Sequence, residues 1–130
     1  MPTPHTYDYA IIRVVPRVER EEFINVGVIV SCPGARRLEA RIELDEARLR
    51  AFAPSLDIDA LLPYLRAIEA ICRGDAGAGP IAALQPRARF HWLTAKRSSI
   101  VQVSPAHVGR TLYPERIVEH LLERMVRVPR

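Results

Sequence analysis

Residues 23–44 read FINVGVIVSCPGARRLEARIEL, and this stretch decides the fold. Phe23 to Val30 is rich in β-branched residues and predicts a strand. Its even-numbered positions, Ile24, Val26, Val28 and Val30, are uniformly apolar and are expected to point into the core. Its odd face carries Asn25 and Gly27, and a glycine inside a strand marks a bulge or a close backbone approach. Pro33-Gly34 is a turn signal. Residues 38–44 then alternate strictly, with Leu38, Ala40, Ile42 and Leu44 inward and Glu39, Arg41 and Glu43 outward, as in a strand with one wet face. Two such runs so close together predict an antiparallel hairpin.

Working outward, Tyr7 to Val15 (YDYAIIRVV) predicts an earlier strand, and Pro16 ends it because proline has no amide hydrogen for the ladder. Arg17 to Glu22 holds five charges in six residues and reads as a solvated loop or a short helical turn. Residues 1–6 are expected to fray. On the other side, Asp45 can cap a short helix over EARLRAFA that Pro54 stops. A longer helix is predicted from Asp59 to Arg73, with Leu61, Leu65, Ile68 and Ile71 at helical spacing. Pro63 suits only a first turn, so the regular helix is expected to begin there. Gly74 is placed to terminate it.

GDAGAGP, residues 74–80, reads as a flexible internal loop. It lacks the Lys-Ser/Thr of a phosphate-binding loop and does not follow a strand. Pro86 opens a short helix to about Ala95, residues 99–104 form a fourth strand, and PERIVEHLLERMVR (114–127) is an amphipathic helix. The order β-β-β-α-α-α-β-α predicts an α+β fold: a small, mainly antiparallel four-stranded sheet with helices packed on one face. At 130 residues the chain, 1–130, is expected to be one domain with a core of its own.

Composition narrows the function classes. No apolar run reaches the length that spans a bilayer, and the first residues show no secretory leader, so a cytoplasmic location is expected. Cys32 and Cys72 form no CxxC pair and have no histidine at ligand spacing, so two reduced thiols, no metal and no cofactor are expected. The net charge of +4 raises nucleic acid as a partner. The basic residues are nonetheless scattered, and all but Lys96 are arginine, a bias that a GC-rich genome explains better than nucleic-acid binding does.

The polar residues cluster where the third helix turns into the fourth strand. Lys96 and Arg97 can complement the helix dipole there. Alternatively Arg97, Ser98, Ser99 and Arg89 converge on an anion, with turn amides assisting. Gln102 lies between Val101 and Val103 and faces either solvent or a cleft, as does Asn25 in the second strand. His107 follows Ser104-Pro105 just beyond the fourth strand, where loop residues often carry function. Glu22 adjoins Phe23 in the charged segment. No metalloprotease motif, nucleophile elbow or Ser-His-Asp spacing occurs.

Three blocks, YDYAIIRVVPRVEREEFINVGVIV, EARIELDEARLRAFAP and RFHWLTAKRSSIVQVSPAHVG, appear in the order seen in the bacterial domain-of-unknown-function family 3037, which the chain resembles over about residues 7–126. The resemblance matches at Arg13, Pro16, Glu22, Asn25, Gly27, Phe90, Arg97, Ser98, Gln102, Ser104, Pro105 and His107. It departs at Lys96, where a proline is common. It implies a small stand-alone protein without assigned activity, often encoded beside a HipA-like kinase, and hence a protein partner.

The leading expectation is a non-enzymatic accessory protein that grips a phosphate or carboxylate with Arg97 and Ser98, helped by Gln102, His107, Asn25 and Glu22. Its rival is an enzyme acting on a phosphorylated or nucleotide substrate, with Glu22 or His107 as base and Arg97 stabilising charge in one cleft. Nucleic-acid binding is the third reading. An exposed hairpin edge also allows a homodimer.

Overall fold

A computed structural model describes residues 3–97 and 99–129. Its frame is an antiparallel sheet built from β1 (His5–Val14), β2 (Ile24–Cys32), β3 (Arg37–Ile42), β4 (Val101–Val103) and β5 (His107–Thr111). The order is β3-β2-β1-β4, and β5 also pairs with β1. The helices are α1 (Glu46–Phe52), α2 (Ile58–Arg73), α3 (Pro86–Leu93) and α4 (Ile117–Leu121), the last running on into a π-type turn, Leu122–Val126. The α+β class and the antiparallel hairpin are as expected.

The sheet has five strands instead of four, because one long edge of β1 serves two partners in succession. Ile12 to Val14 pair with β4, and His5 to Tyr9 pair with β5. Ser104 bridges the gap between them. Its N–H donates to Ile11 O at 2.8 Å, and its Oγ accepts the Ile11 N–H at 2.8 Å while donating to Pro105 O at 2.9 Å. The hydroxyl therefore replaces a missing ladder partner at a buried position. β1 also begins at His5, inside the segment expected to fray.

Helices cover both faces of the sheet, where one face was expected. Ile12, Val14, Ile24, Val26 and Ile29 pack with Leu49, Leu61, Leu65, Phe90 and Leu93 from α1, α2 and α3. Tyr7, Ile11, Val28, Val30 and Cys32 pack on the other side with Ile117, Val118 and Leu121 of α4 and Leu122 of the turn that follows it. A β-bulge explains how the even positions of β2 serve two cores. The pairing runs from Ile12↔Gly27 to Arg13↔Asn25, leaving Val26 as an extra residue. An inserted residue exchanges the faces beyond it. Ile24 and Val26 thus turn toward α2, and Val28 and Val30 toward α4. Gly27 beside the bulge is required: a Cβ there would lie 2.6 Å from Arg41 O.

Side-chain oxygens start the main helices. Asp45 Oδ1 accepts from Arg48 N at 3.1 Å and Asp57 Oδ1 from Ala60 N at 3.2 Å. With Asp57 as cap, α2 begins five residues before Pro63, which lies inside the helix on its exposed side and costs it one bond instead of setting its start. Gly74 closes α2 in the left-handed region at φ 71°. Arg89 finishes the job, donating from Nη1 to Ile71 O and Cys72 O, each at 2.8 Å. The residues named for an anion site thus include one that caps a helix.

Candidate functional site: a polar row across the sheet

β1 is the central strand, and its odd-numbered side chains face α4. Tyr7 and Ile11 are covered by that helix, but α4 contacts β2 and β3 and does not extend over the whole of β1. Arg13, the next odd residue, is only half buried. Register puts it directly between Asn25 of β2 and Gln102 of β4. Opposed residues of an antiparallel pair share a face. Asn25, Arg13 and Gln102 therefore form one polar row across three strands.

The ends of the row are tied down. Asn25 Nδ2 donates to Met125 O at 2.9 Å, a carbonyl in the π-type turn. Gln102 Nε2 donates to Ser99 O at 2.8 Å. The middle is not. Arg13 makes no hydrogen bond or ion pair among the described residues, and its guanidinium lies over the Phe23 ring at 4.0 Å from the centroid. Its Nε is buried without a partner, and so is Asn25 Oδ1 beside it. By contrast Arg20, Arg37, Arg41, Arg50, Arg73, Arg87 and Arg127 each meet a carboxylate. An unpaired buried donor costs roughly 1–3 kcal/mol. A guanidinium held over an aromatic ring, with its donor fork unused, is pre-set for a carboxylate or phosphate.

His107 stands farther along the same face. It pairs with Tyr9, and the two rings meet at a tilt of 37° with centroids 5.4 Å apart. Four residues separate Tyr9 from Arg13, roughly 13 Å of strand. His107 and Arg13 thus cannot share one small anion, but both can meet one partner surface.

Arg97 is elsewhere. It follows α3, which packs against the opposite face of the sheet. Its Nη2 donates to Trp92 O at 2.7 Å and its Nη1 to Leu93 O at 3.3 Å, while its guanidinium lies 4.2 Å from the Trp92 ring centroid. It closes the C-terminal end of α3, where a cation complements the helix dipole. Ser98 lies outside the described residues. Glu22 is exposed, pairs with Arg20 at 2.5 Å and borders a hollow lined by Arg17, Phe52 and Pro54. Asn25, Gln102 and His107 therefore share the α4 face, with Arg97 on the other side of the sheet. The single cleft that Glu22, Arg97 and His107 would need for acid–base chemistry is not assembled.

The residue that joins the row, Arg13, is one arginine among 18 in the sequence. The signal that could have found it is a charge at an odd position of an otherwise apolar strand, opposite the polar Asn25.

Among the described residues no group of three or more His, Cys, Asp or Glu side chains could hold a metal ion, and no helix is long and apolar enough to cross a membrane. Cys72 is buried, and burial pushes its thiol up to about 12, so it stays protonated and unreactive near neutrality.

Comparison with curated proteins and with solved structures finds no match to this chain. Comparison with protein families does: residues 9–126 match the family described as protein of unknown function (DUF3037). The match takes in all five sheet residues discussed, Tyr9, Arg13, Asn25, Gln102 and His107, and extends to the end of the π-type turn that Asn25 holds. The chain belongs to that family.

Proposed function

We propose that this chain is a non-enzymatic binding protein that holds an anionic group of a protein partner, a carboxylate or a phosphate, against the open part of the sheet beside α4. One observation carries the reading: Arg13, in the central strand, has a guanidinium stacked on Phe23 with no anionic partner among the described residues. The anion moves from the Arg97 corner to Arg13 because Arg97 spends its donors on carbonyls of its own helix. Asn25 Oδ1 adds an acceptor next to the fork, so a group carrying both an acceptor and an N–H or O–H fits best. The tilted Tyr9–His107 ring pair supplies a partly apolar flank for the rest of the partner. On the family resemblance, that partner is a HipA-like kinase.

The test is co-expression with such a kinase, followed by titration of the purified chain with inorganic phosphate and with acetate while the Arg13 Nε–H resonance is observed. Association with the kinase, and a shift of that resonance with either anion, are expected. Arg13→Lys keeps the charge but loses the fork, and should weaken association with the kinase. Association undiminished in Arg13→Lys, or an Arg13 Nε–H resonance of the natural chain that neither anion shifts, would sink the reading.

A further inference from the structure

A second surface lies on the opposite side of the sheet, where the apolar walls of α2, α3 and β4 leave a groove of about 790 Å³. Three large hydrophobic side chains that are unusually exposed line it: Tyr64 at 67%, Ile100 at 42% and Trp92 at 41%. Concentration of exposed apolar groups in one groove marks a site of association. What kind of partner fits is decided by β4, which forms one wall and is also the edge of the sheet.

The bonding of β4 alternates. Ile100 O accepts from Val15 N at 2.7 Å, and Ser104 N donates to Ile11 O at 2.8 Å. Residues 100, 102 and 104 therefore turn their backbone groups toward β1. Val101 and Val103 turn theirs the other way, toward the open edge. Val101 O is taken by Ser99 Oγ at 2.6 Å. The Val101 N–H and both backbone groups of Val103 have no partner among the described residues. Open edges are normally blunted by charge. The far edge, β3, carries Arg37, Glu39 and Arg41, whereas β4 presents only Val-Gln-Val.

We infer that β4 and the adjoining groove receive an extended peptide segment of a partner protein by strand addition. The peptide backbone pairs with Val101 and Val103, and its alternate apolar side chains fall into the groove beside Tyr64 and Trp92. A free ladder supplies affinity and a lined groove supplies preference, the division of labour in this mode of recognition. The unpaired backbone groups select an extended chain over a lipid or a small apolar molecule, neither of which offers a matching row of amides. Arg13 faces the other side of the sheet, and Gln102 is the residue that the two surfaces share.

The experiment uses a phage-displayed library of random linear peptides selected on the whole chain. Binding is read by the emission of Trp92, the only tryptophan. Enriched peptides should alternate apolar residues and shift that emission to the blue. Val103→Pro removes an outward N–H without touching the β1 ladder, and Ala67→Phe fills the groove. Each should weaken binding about tenfold or more. Should Val103→Pro disturb the fold, N-methylation of alternate residues in the peptide removes the reciprocal hydrogen bonds, those that the peptide N–H groups donate to Val103 O, and should abolish binding. The inference is overturned by a selection that enriches nothing. It is equally overturned by peptides that bind undiminished after N-methylation, or by a dimer of the chain that pairs through β4 and excludes the peptides.

Discussion

Arg13 and Asn25 sit directly opposite each other on adjacent strands, and each keeps one buried polar atom without a partner, Nε on the first and Oδ1 on the second. A donor and an acceptor left over side by side are a stability cost that binding can recover. The neighbouring bulge at Val26 is what brings Asn25 onto this face, so a backbone irregularity and an unsatisfied pair occur at the same point of the sheet.

That cost gives a prediction with an unusual sign. Arg13→Leu removes the unpaired donor and keeps an apolar contact with Phe23. Thermal and urea unfolding should show stability unchanged or raised by about 1 kcal/mol, while the response to phosphate is lost. A clear loss of stability would instead make Arg13 a structural residue.

Ser104→Ala should do the opposite. It strands the buried Ile11 N–H, which now donates to Ser104 Oγ at 2.8 Å. A loss of about 1–3 kcal/mol is expected. Native-state hydrogen exchange should accelerate most at Ile11 and at the neighbouring β4 and β5 ladders.

Gly109→Ala tests the packing of β5 on β1. A Cβ at Gly109 would lie 2.4 Å from Tyr7 Cζ, inside the ring that lies across the glycine. Overpacking of this kind costs about 1–3 kcal/mol. Urea titration of Gly109→Ala, alone and combined with Tyr7→Ala, should show the glycine substitution to be damaging only while the ring is present.

Arg127 predicts a pH dependence. It binds Glu43 at the end of β3, at 2.8 Å and 3.1 Å, and also Glu119 and Glu123. Its hydrogen bonds hold the Glu43 and Glu119 carboxyls below the usual carboxylate range. Folded-state values below the unfolded ones mean that the unfolded chain binds more protons, so stability rises with pH through that range. The contribution is full above the ordinary carboxylate pKa and fades as pH falls through the lowered values. The difference in melting temperature between the natural chain and Arg127→Gln should be present at neutral pH and shrink in acid. A difference that stayed constant into acid would refute it.

The hairpin, the short Asp45-capped helix, the inward stripe of α2 and the end of α2 at Gly74 were legible because each is signalled locally, by alternation, spacing or a cap. The fifth strand was not. HVGRT has no inward apolar set: Val108 is 70% exposed and Gly109 exists to accommodate Tyr7. Its strand character comes entirely from a partner about a hundred residues away. The two-sided sheet was missed for a related reason, since the bulge makes one uniform run of valines serve two cores. In the candidate site, Asn25, Gln102 and His107 were nameable as polar residues in or beside strands. Their common face with Arg13 depends on register, and register between distant strands is not written in either strand alone.

The long edge of β1 that β4 and β5 share has a consequence for how the chain is made. β1 lies near the start of the chain, and both strands that cover its edge come after residue 100. As the chain leaves the ribosome, β1, β2 and β3 can assemble early, but the edge stays bare until almost all of the rest has emerged. Contacts closed over such a separation form slowly. During that interval the exposed edge of β1 is a place where a nascent copy would stick to another, so synthesis adds an aggregation risk that ends at this edge when β4 and β5 cover it.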